Sequence, residues 1–366
     1  MQALPLGTNI CGYVITGILG RGGFGVTYKG QDSNSQRDVA IKEYFPQDIA
    51  IRQNGLVQSK SPDDVADFQK GKIDFLHEAQ TLAMCSHSSI VSVLGFFEQF
   101  GTAYIVMEFV AGETLQSVIV NRFKQGMTEA QISGWFTQIL DALDTVHKNG
   151  LTHRDVKPEN ILIRPNGNAV LIDFGAAKQT TARNSALTSL TLTHGYAPPE
   201  QYSSSAKDIG SWTDIYALGA TVFFAMTGGT VPPRAMERVN AISQSPKHED
   251  PFKQMMGKLS ESNRYRPHFL SLVQGMLALS PQERLKSVPD VRNFLNKKAK
   301  TPQVPLDPVP LPRNFFPIVK KKKSEEQLSP PSTPSANETE MKLLRLIIFL
   351  LIVIIICVAA KIILRG

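Results

Sequence analysis

Apolar and polar positions alternate along the first 110 residues. YVITGIL (13–19), VTYKGQD (26–32), DVAIKEYF (38–45), VSVLGFFEQ (91–99) and TAYIVMEFV (102–110) are rich in β-branched and aromatic residues and predict strands. One helix interrupts them at 66–84, where Ile73, Leu76, Leu82 and Met84 fall near helical spacing, although Gly71 weakens its start. After residue 111 the period lengthens. Ile132, Trp135, Phe136, Ile139, Leu140, Leu143, Val146 and His147 recur at three- and four-residue intervals and predict a helix over 129–149. Thr128 with Gln131 makes a capping-box start, and Gly150 supplies the stop. The expected architecture is α+β, with a small β-rich lobe over 1–110 and a larger helical lobe over 111–298.

The pattern ends beyond 298. Residues 299–341 carry nine prolines, the KKKK run at 320–323 and the stretch SPPSTPSANETE, a composition that cannot bury a core and reads as an extended linker. Its reach is roughly 35 Å as a coil and about 130 Å as polyproline. Residues 343–364, LLRLIIFLLIVIIICVAAKIIL, are apolar on every face from Leu346 to Ala360. As a helix they extend about 33 Å, enough for a ~30 Å hydrocarbon layer if Arg345 and Lys361 snorkel outward. The expectation is a transmembrane helix over 342–364 with a very short tail on the far side; a buried core helix is the other reading of such a run.

The net charge of +7 invites a nucleic-acid reading, but ten basic and five acidic residues lie beyond 298, so only +2 remains for residues 1–298. A nearly neutral domain lacks the charge excess that drives phosphate-backbone binding, and the surplus flanks the hydrophobic segment. Membrane association is expected and nucleic-acid binding is not. Lys320 to Lys323 are suited to anionic lipid, though a solvated charge run accounts for them equally well. Cys11, Cys85 and Cys357 form no CxxC pair, as in a reducing compartment, and the N-terminus has no secretory pattern.

Three motifs carry chemistry. GRGGFGVT at 20–27 is a GxGxxG between two predicted strands. A dinucleotide-binding fold would need a helix directly after the glycines, so Gly20, Gly22 and Gly25 suit a β-hairpin flap whose amides close over phosphates, or simply a glycine-rich hairpin. VAIK at 39–42 lies in an alternating strand that puts Ala40 and Lys42 on one side. Lys42 is an ordinary surface charge unless it has a partner, and Glu78 on the following helix is the candidate: a buried pair would aim the ammonium at α- and β-phosphate oxygens. HRDVKPEN at 153–160, followed by ILIR and AVLIDFG, is the most specific stretch. Phosphoryl transfer to a hydroxyl needs a carboxylate for the hydroxyl proton, a cation near the moving group and oxygen ligands for Mg²⁺; Asp155, Lys157, and Asn160 with Asp173 match these needs in that order.

With these motifs in this order over about 13–298, the chain resembles the eukaryotic-like (Hanks-type) serine/threonine protein kinases, in the form common among bacterial membrane kinases. The resemblance implies a bilobal protein-kinase fold, with ATP and Mg²⁺ (or Mn²⁺) as cofactors. Leu19 to Thr27, including Gly23 and Phe24, would cover the nucleotide. Ala40 and Leu162 would sandwich the adenine, Glu108 to Val110 would offer hinge backbone groups, and Met107 would guard the back pocket. Glu159 would complete the nucleotide-binding set. Lys157 resembles the serine/threonine-specific choice, and Thr193 takes the place where the family's threonine bridges Asp155 and Lys157. Glu200 of PPE would pair with Arg284, and Asp214 would brace the catalytic loop.

The sequence departs from the family pattern at Thr27, where valine is usual, at Pro198, where alanine is usual, and in the 36-residue step from Lys42 to Glu78. The extra length at 46–64 is either a plain surface loop or a regulatory element. A phosphate on Thr180, Thr181, Ser185, Thr188, Ser189 or Thr191 would find Arg154 as a partner, adding charge-assisted hydrogen bonds that order this segment.

The favoured function is a serine/threonine kinase of protein substrates that autophosphorylates on its activation loop. Its kinase domain would be cytoplasmic, since ATP is, on a single-pass cell-membrane anchor. A membrane-tethered pseudokinase scaffold is the alternative, although Lys42, Asp155 and Asp173 are all present. A kinase of small molecules is disfavoured by Thr193 and PPE. No GxxxG marks a helix-pairing face, and homodimerisation stays open.

Overall fold

The structure, a computed structural model, describes residues 3–174, 194–202, 208–244 and 249–297. The linker and apolar run expected over 299–364, the hydroxyl-rich segment from Thr180 to Thr191, and Thr193 lie outside the described residues. Among the described residues no helix is long and apolar enough to cross a membrane.

The N-terminal lobe is an antiparallel sheet of six strands: β1 (Asn9–Ile10), β2 (Tyr13–Gly22), β3 (Gly25–Asp32), β4 (Asp38–Tyr44), β7 (Val93–Gln99) and β8 (Thr102–Glu108), in the order β1-β2-β3-β4-β8-β7. β8 is apolar almost throughout because both its faces are covered. Ala103, Ile105 and Met107 join a core built on Phe68, Phe75 and Ala79 of helix α1 (Val65–Leu82), while Tyr104 and Val106 join Leu4, Ile10, Ile15 and Tyr28 on the opposite face.

Helix α1 occupies the predicted span, and its buried face agrees with the expected one in part: Leu82 is buried and Leu76 packs against the core. Phe68, Gly71, Phe75, Glu78, Ala79 and Leu82 face inward, whereas Ile73 and Met84 are exposed at 63% and 65%. Phe68 and Phe75 of the buried face pack tilted against the Tyr44 ring, with centroids 5.6 and 5.5 Å away.

The extra residues at 46–64 are not a plain loop. They form a two-stranded hairpin, β5 (Ala50–Gln53) and β6 (Leu56–Ser59), turning at Asn54 and Gly55, both at positive φ as a tight turn requires. A buried cluster anchors it. Arg52 donates to Glu43 Oε1 at 2.6 Å, and Glu43, wholly buried on β4, also accepts from Tyr104 Oη at 2.6 Å and Tyr28 Oη at 2.8 Å. Burial, then the Glu43 charge, pushes both tyrosine hydroxyls well above their ordinary range, so they act as donors.

The second lobe is helical. It begins with β9 (Glu113–Thr114), α2 (Leu115–Arg122) and α3 (Glu129–Lys148). α3 starts with the Thr128–Gln131 capping box and ends before Gly150 at φ 74°. β10 (Ile161–Ile163) pairs antiparallel with both β9 and β11 (Ala169–Leu171). Helices α4 (Ser211–Thr227), α5 (Ala235–Gln244), α6 (Pro251–Glu261), α7 (Pro267–Met276) and α8 (Val288–Lys297) follow. α4 is buried continuously from Thr213 to Met226 and is the axis of the core, with Phe136, Ile139 and Leu143 of α3 and Leu272, Val273 and Met276 of α7 in the same cluster. Asp214 is a charged residue on that axis, and its partners belong to the site.

Candidate active site

A cavity of about 370 Å³ opens between the six-stranded sheet and the β9–β11 sheet. Leu19 and Gly20 of β2, Thr27 of β3, and Ala40 and Lys42 of β4 line one wall; Leu162 of β10 with Glu159, Asn160, Ile172 and Asp173 lines the other. Met107 and Val91 lie at the back, and Glu108, Phe109 and Val110 form the strand-to-strand connection along one side. Alternation explains the β4 pair. Val39, Ile41 and Glu43 point into the opposite core, so Ala40 and Lys42 face the cavity.

Twelve of the sequence-predicted residues therefore line one cavity: Leu19, Gly20, Thr27, Ala40, Lys42, Met107, Glu108, Val110, Glu159, Asn160, Leu162 and Asp173. Gly22, Gly23, Phe24 and Gly25 form the β2–β3 turn beyond that wall. Sequence reasoning missed Val91, Gly112, Thr114 and Ile172. Ile172 was within reach, since it directly precedes Asp173. Gly112 carries no local signal: its role is a close approach, because a Cβ there would sit 2.4 Å from the Ile163 carbonyl oxygen.

The counter-ion of Lys42 is a correction. Lys42 Nζ pairs with Asp173 Oδ1, not with Glu78, and lies 5.9 Å from the centre of the Phe75 ring. Glu78 is buried one turn further along α1. An ammonium left 16% exposed needs a nearby counter-charge, and Asp173 carries the carboxylate that supplies it. Asp173 itself holds φ at 58°, an uncommon conformation for a non-glycine residue.

The segment after α3 that carries Asp155 is braced by contacts among its own residues and by α4. Asp155 Oδ1 lies 3.0 Å from Lys157 Nζ, and Asn160 Nδ2 donates to both the Asp155 carbonyl at 2.8 Å and Asp155 Oδ2 at 2.9 Å. With its Nδ2 so engaged, the remaining polar atom of the Asn160 side chain is Oδ1, an oxygen of the kind a hard cation prefers. Asp214 Oδ1 accepts from the Arg154 N–H, and its Oδ2 accepts from the His153 N–H and from His147 Nε2, each at 2.8 Å. Burial alone would raise the Asp214 carboxyl. The hydrogen bond and charge of His147, the charge of His153 and the Arg154 N–H outweigh it and hold the group below its ordinary range. His153 is held down by burial; its Nε2 donates to the Ile172 carbonyl at 3.1 Å while Nδ1 accepts from the Asp155 N–H at 3.3 Å.

Two further contacts position this loop. Arg154, at φ 66°, has its carbonyl held by Gln201 Nε2 at 2.9 Å, a contact sequence reasoning did not find. Glu200, next to Gln201, accepts from Arg284 Nη1 at 2.6 Å, Arg284 Nη2 at 3.2 Å and Thr213 Oγ1 at 3.1 Å.

A two-lobed chain with this cleft is the architecture of a protein kinase, and residues 13–297 match the protein kinase domain. The chain belongs to the protein kinase family. Among its relatives, serine/threonine-protein kinase B of Synechocystis is 31% identical over 297 residues, covering 77% of this chain and 46% of the relative. Mycobacterium tuberculosis PknD is 29% identical over 296 residues, covering 79% and 40%. The chain thus spans less than half the length of these relatives. Among solved structures, PpkA-294 in its apo form superposes with a TM-score of 0.68 at 33% identity, covering 80% of this chain and 99% of that one. The M. tuberculosis PknI kinase domain, with a TM-score of 0.58 at 23% identity over 81% of this chain, shares the fold.

Proposed function

We propose that this chain is an ATP-dependent serine/threonine protein kinase held at the cell membrane by residues 342–364, with its kinase domain in the cytoplasm. The observation that carries the enzymatic reading is the Asp155 carboxylate, set 3.0 Å from the Lys157 ammonium and clasped by Asn160, on a loop whose neighbour Asp173 closes the cavity beside Lys42. An apolar cavity of about 370 Å³ with Lys42 and Asp173 in its wall suits an adenine nucleotide: rings between Ala40 and Leu162, phosphates toward the charged end. Asn160 Oδ1 and Asp173 offer the oxygens that Mg²⁺ prefers, and the ion would neutralise charge on the phosphate oxygens when bound.

In this reading Asp155 accepts the proton of a protein Ser or Thr hydroxyl. The hydroxyl oxygen bonds to the γ-phosphorus of ATP, the bond from phosphorus to the β-bridging oxygen breaks, and ADP leaves. Lys157 supplies positive charge beside the transferring group, and its presence two residues after Asp155 favours Ser/Thr over Tyr acceptors. Lys42 holds phosphate oxygens, and Arg154 would receive a phosphate from the 180–191 segment.

The test is transfer of radiolabelled phosphate from ATP to a generic basic protein and to the chain itself. Asp155→Asn and Lys42→Ala should each lower the rate by a factor of about 10³ or more with the thermal midpoint within a few degrees of wild type. Undiminished transfer in either variant would overturn the assignment. Removing residues 342–364 should move the protein from the membrane fraction to the supernatant; an unchanged distribution would refute the anchor.

A further inference from the structure

The turn of the glycine hairpin is fastened from one side. Beyond the last β3–β4 pair, Gly25 with Tyr44, the chain after β4 continues alongside the turn. Phe45 N donates to the Phe24 carbonyl at 2.8 Å and Gln47 N to the Gly23 carbonyl at 2.8 Å. The Gln47 side chain then reaches one residue further, with Nε2 donating to the Gly22 carbonyl at 2.9 Å. Three successive carbonyls of the turn therefore point at one short segment, Phe45 to Gln47.

That segment is itself anchored. The Phe45 ring lies 5.4 Å from the Arg52 guanidinium, and the Pro46 carbonyl accepts from the Ile49 and Ala50 N–H groups. Gly25 belongs to the same close fit, since a Cβ there would sit 2.0 Å from the Glu43 carbonyl oxygen. In a trans peptide the N–H points opposite to the C=O. Holding the carbonyls of Gly22, Gly23 and Phe24 on one side aims the N–H groups of Gly23 and Phe24 to the other, while the Gly22–Gly25 pair closes the hairpin.

We propose that Gln47 is a positioning residue for the triphosphate: it fixes the Gly22–Gly23 peptide so that the amides of the turn are already oriented to receive phosphate oxygens. The start of the 46–64 insertion thereby acts as a clasp on the flap. This rests on the reading of the cavity as an ATP site. Amides aimed in advance reduce the ordering cost of binding, and they contact phosphate in the ground state and the transition state alike. Gln47 therefore acts on nucleotide affinity and leaves turnover largely alone.

The experiment measures the Kd of ATP with Mg²⁺ and of adenosine, together with KM and kcat, in the full chain and in Gln47→Ala and Gln47→Glu. The glutamate has nearly the same shape, but its carboxylate cannot donate to the Gly22 carbonyl. One hydrogen bond is worth about a threefold to tenfold change in affinity. Both variants should weaken ATP by that factor and raise its KM equally, with kcat, adenosine affinity and thermal midpoint close to wild type. ATP affinity equal to wild type in both variants would overturn the clasp while leaving the kinase reading in place. Parallel losses of adenosine and ATP affinity would also overturn it, by showing a general packing role. A wild-type chain that binds neither ligand would instead overturn the nucleotide reading and the clasp with it.

Discussion

Asp214, on the buried axis helix α4, accepts a hydrogen bond at 2.8 Å from the backbone N–H of Arg154, which lies 60 residues earlier in the chain. Arg154 directly precedes Asp155 and sits at φ 66°, so the carboxylate holds the loop in a conformation its residues would not adopt unaided. Asp214→Asn removes the charge and keeps the shape. It should cost about 2–4 kcal/mol of stability and lower phosphate transfer on the order of tenfold or more, because the Asp155 loop loses its brace. Urea denaturation and a transfer assay on the same preparations check both; wild-type values in both would refute the brace.

Stability should fall in acid, with a sign set by His153 and Asp214. Burial lowers the folded-state pKa of His153 below 6.5, so the unfolded chain binds the extra proton first and stability is lost as pH drops through and below 6.5. The lowered carboxyl of Asp214 adds a second loss, beginning below about 3.8 as pH falls toward its folded-state value. The stability advantage of wild type over His153→Asn should therefore shrink between pH 7 and pH 5. Urea midpoints at half-unit intervals would show it; an advantage that grows toward pH 5 would mean that the folded state stabilises the imidazolium.

Arg52 joins the inserted hairpin to the core through Glu43. Arg52→Met leaves that carboxylate wholly buried with its two tyrosine donors but without a counter-charge, and should destabilise the chain by about 3–5 kcal/mol. Arg52→Met with Glu43→Gln should recover much of the loss. Denaturation of the single and double variants measures the coupling; additive losses would show that the pair does not act as a unit.

The glycines of the flap should differ sharply. A Cβ at Gly25 would sit 2.0 Å from the Glu43 carbonyl oxygen, whereas one at Gly22 meets nothing within 4 Å. Gly25→Ala should cost about 1–3 kcal/mol and raise the KM for ATP, because β3 and β4 must separate where they carry the flap. Gly22→Ala should stay within about 0.5 kcal/mol of wild type. Thermal denaturation of both variants decides the matter, and equal effects would contradict the packing.

Helix α3 was legible in the sequence because one apolar stripe, one capping box and one glycine agree on it. Helix α1 was legible in span but only partly in face: Leu76 and Leu82 were read, Phe68 and Phe75 were not. The two phenylalanines pack against Tyr44, a contact between segments that the local pattern does not report. The hairpin at 50–59 escaped notice because its strands are four residues each, too short for alternation to stand out. Its anchor, Arg52 to Glu43, joins two residues that look like ordinary surface charges.

Local pattern alone determined the five strands and the helix of 13–110 and the helix after Thr128, the strand that puts Ala40 and Lys42 on one side, and the spacing of Asp155, Lys157 and Asn160, since each depends on neighbours a few positions apart. The tertiary structure decided which carboxylate faces Lys42, what holds the Arg154 backbone, and what fastens the glycine turn. Those contacts join segments tens of residues apart, and their geometry follows from how the sheet, α1 and α4 pack. A buried charge takes as its partner the group that packing brings within reach, and sequence distance does not report that reach.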